Sequence, residues 1–309
     1  MLMRRFFLYL SQAKWARGLV TRFFIARRMA LRFVAGETLQ EALVATKTLN
    51  EAGLWVTLDY LGESVTSAEE TDAVRKTYLD LLDNIHKQGL NASVSLKLTH
   101  MGLDISEELC VTNLRHILNL AQKHNIPVTL DMEGSAYTDV TLRLYRTLRD
   151  EYVYGALVGT VVQSMLRRSM EDMRQLADEG ARIRLVKGAY LEPEAVAYPL
   201  KADVDKAYVD IMRDYFTHIP PAYLELGTHD EKMIASAISL AQENGVSTDN
   251  YEIQMLYGIR RERQTELAKA GVKMRVYVPF GEAWYPYFMR RLAERPANVW
   301  FLMRSMFSR

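Results

Sequence analysis

From residue 53 onward the chain alternates short β-branched runs with longer charged stretches whose apolar positions recur every three to four residues. The runs at 55–60 (WVTLDY), 92–98 (ASVSLKL), 127–132 (PVTLDM) and 156–163 (ALVGTVVQ) read as strands. So do 182–187 (RIRLVK), 222–227 (AYLELG), 251–256 (YEIQML) and 273–279 (KMRVYVP). Between them, 68–86, 107–124, 139–149, 170–179, 204–216, 231–243 and 261–270 read as amphipathic helices, and 282–294 as an eighth after the last strand. Gly89, Gly180 and Gly271 stand just past three of these helices, where a left-handed residue ends the spiral.

Eight strands, each followed by a helix, predict an α/β fold of the (β/α)8 TIM-barrel type. Strict alternation makes parallel pairing and right-handed crossovers the natural topology. An open doubly wound sheet is the alternative. Against it, no Gly-x-Gly-x-x-Gly follows the first strand and no long insertion marks a second domain. Residues 1–50 then form a basic amphipathic helical segment ahead of a barrel at 51–309.

Composition adds chiefly a division of charge. With 309 residues, 49% hydrophobic and 25% charged, the chain falls among globular proteins and outside disordered or collagen-like classes. Its net charge of +1 conceals a division. The first acidic residue is Glu37, and before it lie Arg4, Arg5, Lys14, Arg17, Arg22, Arg27, Arg28 and Arg32. The remainder carries 31 basic against 38 acidic residues. No apolar stretch in this leader approaches the roughly 18 residues of a spanning helix, and no continuous apolar core suits a signal peptide. Three readings stay open: a basic amphipathic helix on an anionic membrane surface, a helix packed on the main domain, or a transit segment. The single Cys110 excludes an intramolecular disulfide framework and cysteine-based zinc, and reads as a packed core thiol. No metal cluster is expected. Nucleic acid is not an expected partner, because the basic residues form a leader rather than a patch on the barrel.

In such barrels chemistry sits at the C-terminal ends of the strands. Each strand here delivers a polar group near its end: Asp59 with Glu63, Lys97, Asp131 with Glu133, Gln163, then Arg184 with Lys187 and Gly188. The series continues with Thr228 and His229, Gln254, and Arg275 with Tyr277. Lys97, flanked by Val94, Leu96 and Leu98, needs a carboxylate or water, with Asp59 and Asp131 as candidates. It reads either as a structural ion pair inside the barrel or as a substrate-facing cation. The last helix carries adjacent Arg290 and Arg291 after an aromatic cluster. These read as helix-surface ion pairs or as guanidinium forks for a carboxylate.

Taken together, SVSLKLT, VTLDMEGS, VGTVVQSMLRRS, IRLVKGAY, LGTHD, YEIQMLYG, RVYVPFG and YPYFMRRL resemble the proline dehydrogenase family, in the family order over roughly residues 37–309. The resemblance implies a flavin-bearing barrel with a final helix over the active site. It implies oxidation of L-proline to 1-pyrroline-5-carboxylate by hydride transfer from C5 to N5 of FAD. Electrons would then pass to a membrane quinone, in the first step of proline degradation to glutamate. A cytoplasmic protein, peripheral on the inner face of the membrane through residues 1–36, follows from that reading.

Residue by residue, the resemblance assigns Lys97, Arg290 and Arg291 to the proline carboxylate. Asp131 would lie beneath the substrate, linked to Lys97 and Tyr277, and Arg184 would join them in the catalytic group. Glu63 would pair with Arg290 as a gate. Tyr287 would wall the ring and disfavour a 4-hydroxyl, with Tyr277 and Leu256 as further apolar walls. Met132, Gln163, Arg184, Lys187, Gly188, Ala189, Thr228 and His229 fall on flavin-contacting positions, with Gln254 and Tyr257 beside them. Leu191 departs from the aromatic common after GAY in the family, which bears on local flavin stacking. Two other functions remain from the residues alone: a Schiff-base aldolase or lyase using Lys97 or Lys187, and a non-catalytic membrane-surface module.

Overall fold

Eight parallel strands close into a barrel in strict chain order, β1 to β8, with β8 pairing back onto β1. They are β1 Trp55–Tyr60, β2 Ala92–Lys97, β3 Val128–Asp131, β4 Val158–Gln163, β5 Arg182–Val186, β6 Tyr223–Gly227, β7 Tyr251–Leu256 and β8 Met274–Phe280. The structure is a computed structural model that describes residues 30–294 together with Phe6, Phe7, Tyr9, Leu10, Ala13 and Trp15. The predicted (β/α)8 architecture is therefore the observed one, and each strand lies within two residues of its expected bounds.

The helices are α1 Leu39–Glu51, α2 Ala68–Lys87, α3 Glu107–His124, α4 Thr138–Arg146, α5 Ser169–Asp178, α6 Lys201–Phe216, α7 Glu231–Glu243, α8 Arg261–Lys269 and α9 Trp284–Glu294. Side-chain caps start several of them: Thr38 and Glu41 form a capping box on α1, and Ser67, Ser106 and Asp230 cap α2, α3 and α7. Each such cap stabilises its helix by about 1 kcal/mol. Gly89, Gly180 and Gly271 take the positive φ expected of helix stops. The expected helix at 139–149 instead ends at Arg146 and widens into a π turn, Thr147–Glu151.

Between strands and helices lies a continuous apolar core that includes Leu58, Leu96, Leu130, Leu185, Ile253 and Val278. Buried tyrosines tie helices to the sheet, because each phenol must find an acceptor. Tyr78 donates to the Ser95 carbonyl of β2 at 3.0 Å, and Tyr208 to the Leu185 carbonyl of β5 at 3.2 Å.

Two departures from a plain ring of helices shape the mouth. Helix α1 packs against β1 and β8, the place a helix after β8 would otherwise take. Helix α9 instead joins a second apolar cluster with Phe7, Ala30, Val34 and Leu61. Phe7 and Leu10 thus face α9, and the Tyr285 hydroxyl donates to the Leu10 carbonyl at 3.0 Å. Phe6, Tyr9 and Trp15 face outward, each more than half exposed. Of the leader's eight basic residues only Arg32 lies among the described residues, and the C-terminal 299–309 lies outside them. Among the described residues no helix is long and apolar enough to cross a membrane.

Candidate active site

Strand alternation decides which side chains enter the barrel. Inward positions here are unusually polar, where branched aliphatics generally dominate. Among the described residues, Lys97, Arg182, Arg184 and Arg275 meet Asp59, Asp131, Glu225 and Glu252 in one hydrogen-bonded interior. Opposite charges are matched, as a buried ionic network requires.

The lower half is structural. Arg275 is paired with Glu252 and donates to the Val56 carbonyl at 2.9 Å and to Ser93 at 3.1 Å. Gln254 donates to Glu225 at 2.7 Å and to Glu252 at 2.6 Å. Although both stand on strands that end at the mouth, they are turned into this lower network.

The upper half is a hub centred on Asp131. One carboxylate oxygen accepts from Ser95 and from Arg184, each at 2.8 Å, and the other accepts from the Tyr277 hydroxyl at 2.7 Å. Lys97 reaches Asp59 at 3.0 and 3.2 Å and Asp131 at 3.8 Å. Burial works against the Lys97 ammonium, yet the two carboxylates outweigh it and raise its pKa above the ordinary lysine value. Burial likewise raises the Asp59 carboxyl, against the attraction of Lys97. The Tyr277 phenol is pushed well up, first by burial and then by Asp131. Arg184 also faces Glu225 at 3.3 Å, and its guanidinium lies 5.3 Å from the Tyr277 ring centre.

Above the hub, Glu63 from the β1–α2 loop accepts from Arg290 of α9 at 3.0 Å. Burial alone would raise the Glu63 carboxyl, but Arg290 and Lys97 hold it below the usual range. Arg291 stacks on the Tyr287 ring, 4.9 Å from its centre. The two arginines thus share one end of the mouth with different neighbours. Tyr190, the last residue of IRLVKGAY, faces the same space; burial pushes its phenol up against the opposing charge of Arg290.

On the opposite side, Lys187 bridges Asp205 at 2.6 Å and Asp230 at 2.8 Å. Thr228 is buried, and its hydroxyl accepts the Asp230 amide at 3.1 Å. His229 accepts the Leu256 amide on Nε2 at 2.9 Å, so a neutral ring carries its proton on Nδ1. Among the described residues no group of carboxylates, histidines and cysteine could hold a metal ion. Cys110 is buried and its thiol pushed up to about 12, chiefly by that burial, which keeps it protonated and unreactive.

Some members of the site escape a reading of strand ends. Ser95 and Glu225 sit two positions before Lys97 and Gly227, on the same inward face, and that period-2 relation was the available signal. Thr99 lies just beyond β2 and bonds Glu133, the strand-end carboxylate after β3.

A closed barrel with a charged hub at its C-terminal mouth and a helix across that mouth defines a (β/α)8-barrel enzyme. A family model described as proline dehydrogenase matches residues 42–304. Proline dehydrogenase 1 of Bacillus subtilis is 43% identical over 99% of each chain, and the proline dehydrogenase of Deinococcus radiodurans is 42% identical over 90% of each. Among solved structures, proline utilization A from Bdellovibrio bacteriovorus, inactivated by N-propargylglycine, superposes with a TM-score of 0.82 at 26% identity. That match covers 95% of this chain and 35% of the longer protein. The chain belongs to the proline dehydrogenase family.

Proposed function

We propose that this protein oxidises L-proline to 1-pyrroline-5-carboxylate with FAD as its cofactor and a membrane quinone as the final acceptor. The observation that carries the reading is the Asp131 hub on β3, which joins cations and a tyrosine from three other strands, β2, β5 and β8, at the mouth of a family barrel. Proline presents a carboxylate, a secondary amine and a small apolar ring. Arg290, Arg291 and Lys97 supply positive charge for the carboxylate. Tyr277, Tyr287, Tyr190 and Leu256 supply walls for the ring and exclude water.

The residues present also fit a flavin. Gln163 Oε1 and Arg184 Nη2 are buried without hydrogen-bond partners, an acceptor and a donor suited to a polar ring system. Gly188 has φ of +104°, and a Cβ there would meet Met165 Sδ at 2.5 Å and Gln163 Oε1 at 2.8 Å. Only glycine keeps that cradle open. Gln163, Arg184, Lys187, Thr228 and His229 would hold FAD, with Met132, Gly188 and Ala189 lining its approach. Bound there, FAD supplies the acceptor for the hydride from proline C5. The protein positions the substrate, which removes much of the orientational barrier, and Arg184 places fixed positive charge where electron density grows.

The raised pKa of Lys97 and the two carboxylates on Lys187 weigh against a Schiff-base lyase, which needs a neutral amine. The purified protein is expected to show a flavin absorption spectrum that bleaches on anaerobic addition of L-proline. Colourless protein that stays inactive with proline after supplementation with FAD would overturn the proposal.

Reaching a lipid-dissolved quinone calls for contact with the membrane. The outward Phe6, Tyr9 and Trp15, set in a basic leader, support such contact. Replacing the three with serine is expected to weaken binding to anionic vesicles roughly tenfold or more while dye-linked turnover persists. Equal vesicle binding would assign the leader a packing role alone.

A further inference from the structure

Two residues past Lys97, β2 runs into a 3₁₀ turn, Thr99–Met101, which lies under the loop carrying Glu63. Thr99 and His100 are both buried there. The loop touches this turn on either side of Glu63. Before it, Gly62 lies flush on His100: a Cβ at residue 62 would fall 2.1 Å from His100 Nε2. The His100 ring is itself stacked on Tyr60 at 5.5 Å, and its pKa is lowered to about 3, first by burial and then by Lys97. It is therefore a neutral platform. After Glu63, the Ser64 amide donates to Thr99 Oγ1 at 3.2 Å.

That second contact depends on where the Thr99 proton goes. A hydroxyl has one proton to give and two lone pairs to offer. The buried Glu133 carboxylate accepts the Thr99 hydroxyl at 2.7 Å and the Thr99 amide at 3.1 Å. With its proton committed to Glu133, Thr99 presents a lone pair to Ser64. Ser64 needs that partner, because its φ of +53° is left-handed, a conformation that strains a residue with a Cβ.

We propose that Thr99 is a positioning residue for the substrate gate, its hydroxyl, aimed by Glu133, holding the Ser64 amide so that Glu63 faces Arg290. The inference rests on reading Glu63 and Arg290 as the pair over the substrate pocket. It adds that the end of β2 sets two things together, the cation for the carboxylate and the resting place of the loop above it. One neutral hydrogen bond and one ion pair make a latch light enough to open for each turnover. Glu133 extends the link to β4, since its carbonyl accepts from Gln163 at 2.7 Å.

The test compares Thr99→Val and Thr99→Ser in the native holoenzyme and in a Glu63→Ala background. Flavin content, kcat and KM for L-proline are the readouts. Thr99→Val is expected to raise KM about fivefold, the worth of one hydrogen bond, with kcat changed less and flavin content unchanged. Thr99→Ser, which keeps the hydroxyl, should stay within about twofold of native. In the Glu63→Ala background Thr99→Val should add nothing further, because its effect passes through Glu63. If Thr99→Val fails to accumulate as folded protein, Thr99→Ala carries the same expectation, since it too removes the hydroxyl that accepts the Ser64 amide. The inference is overturned by a native KM in Thr99→Val, by an equal effect in both backgrounds, or by serine and valine behaving alike. If Glu63→Ala changes KM and Thr99→Val does not, this inference alone falls. If Glu63→Ala leaves both constants unchanged, the gate reading falls and takes the inference with it.

Discussion

Replacing Lys97 with methionine is expected to lower kcat/KM for L-proline by roughly 10²–10³, the usual effect of removing one preorganised charge from a dry site. Two carboxylates raise the lysine's pKa, so the native side chain is a permanent cation at the hub. Methionine fills nearly the same volume without the charge. Asp59 would then lose its ion pair, but burial already raises its carboxyl, so it can take up a proton instead of remaining a bare buried anion. The fold should therefore survive, and bound flavin should stay near native content. Steady-state kinetics with an artificial electron acceptor, alongside absorbance for flavin content, check both halves. A loss below about fivefold would return Lys97 to a purely structural ion pair.

The largest effect on stability is expected at Glu225, which no reading of strand ends singled out. This carboxylate is buried between Arg182 at 2.7 Å and Arg184 at 3.3 Å. Glu225→Gln keeps the shape but takes the carboxylate from Arg182 and leaves Arg184 with Asp131 alone. Breaking a buried pair from one side costs about 3–5 kcal/mol, which would lower the thermal midpoint by about 5–10 °C or more. The pH dependence has a definite sign. Burial opposes ionisation of Glu225, but Arg182, Arg184 and Arg275 together lower its carboxyl to about 2. The native protein therefore has this stabilisation in full above the ordinary carboxyl value near 4.5, and loses it as pH falls through that value toward 2. Between those limits the glutamine variant should show a shallower decline than native protein. Thermal melts from pH 7 down to pH 3 read this directly, and parallel curves would show that Glu225 carries no such linkage.

The two substitutions probe different layers of one network, and the layers differ in how far sequence foretold them. Lys97, Asp131, Arg184 and Tyr277 were visible because polar residues in apolar strands stand out, and strand alternation gives them a common face. Alternation does not say what stands opposite. Arg184 meets Ser95 across 89 residues of chain, and Tyr277 meets Asp131 across 146. Arg275 and Gln254 show the converse: both stand on strands that end at the mouth, yet the lower ionic layer holds them.

The ends of the chain teach a similar lesson. A basic, aromatic leader was open to packing, to membrane contact or to transit, and its described part packs one face, Phe7 and Leu10, against α9 and leaves Phe6, Tyr9 and Trp15 outward. Which face packs depends on where α9 runs, and that follows from α1 occupying the place beside β8 and β1.

The number, order and parallel sense of the strands, the helix stops and the family motifs at the strand ends could all be read from the chain alone. These follow from periodicity, glycine conformational freedom and short motifs, all of which act over a few residues. Closure of the barrel decided the rest: which charge faces which, how Asp131 comes to collect three donors, and how one threonine after β2 meets the amide beside Glu63. Such contacts join groups far apart in the chain, and only the closed geometry of eight strands sets their distances.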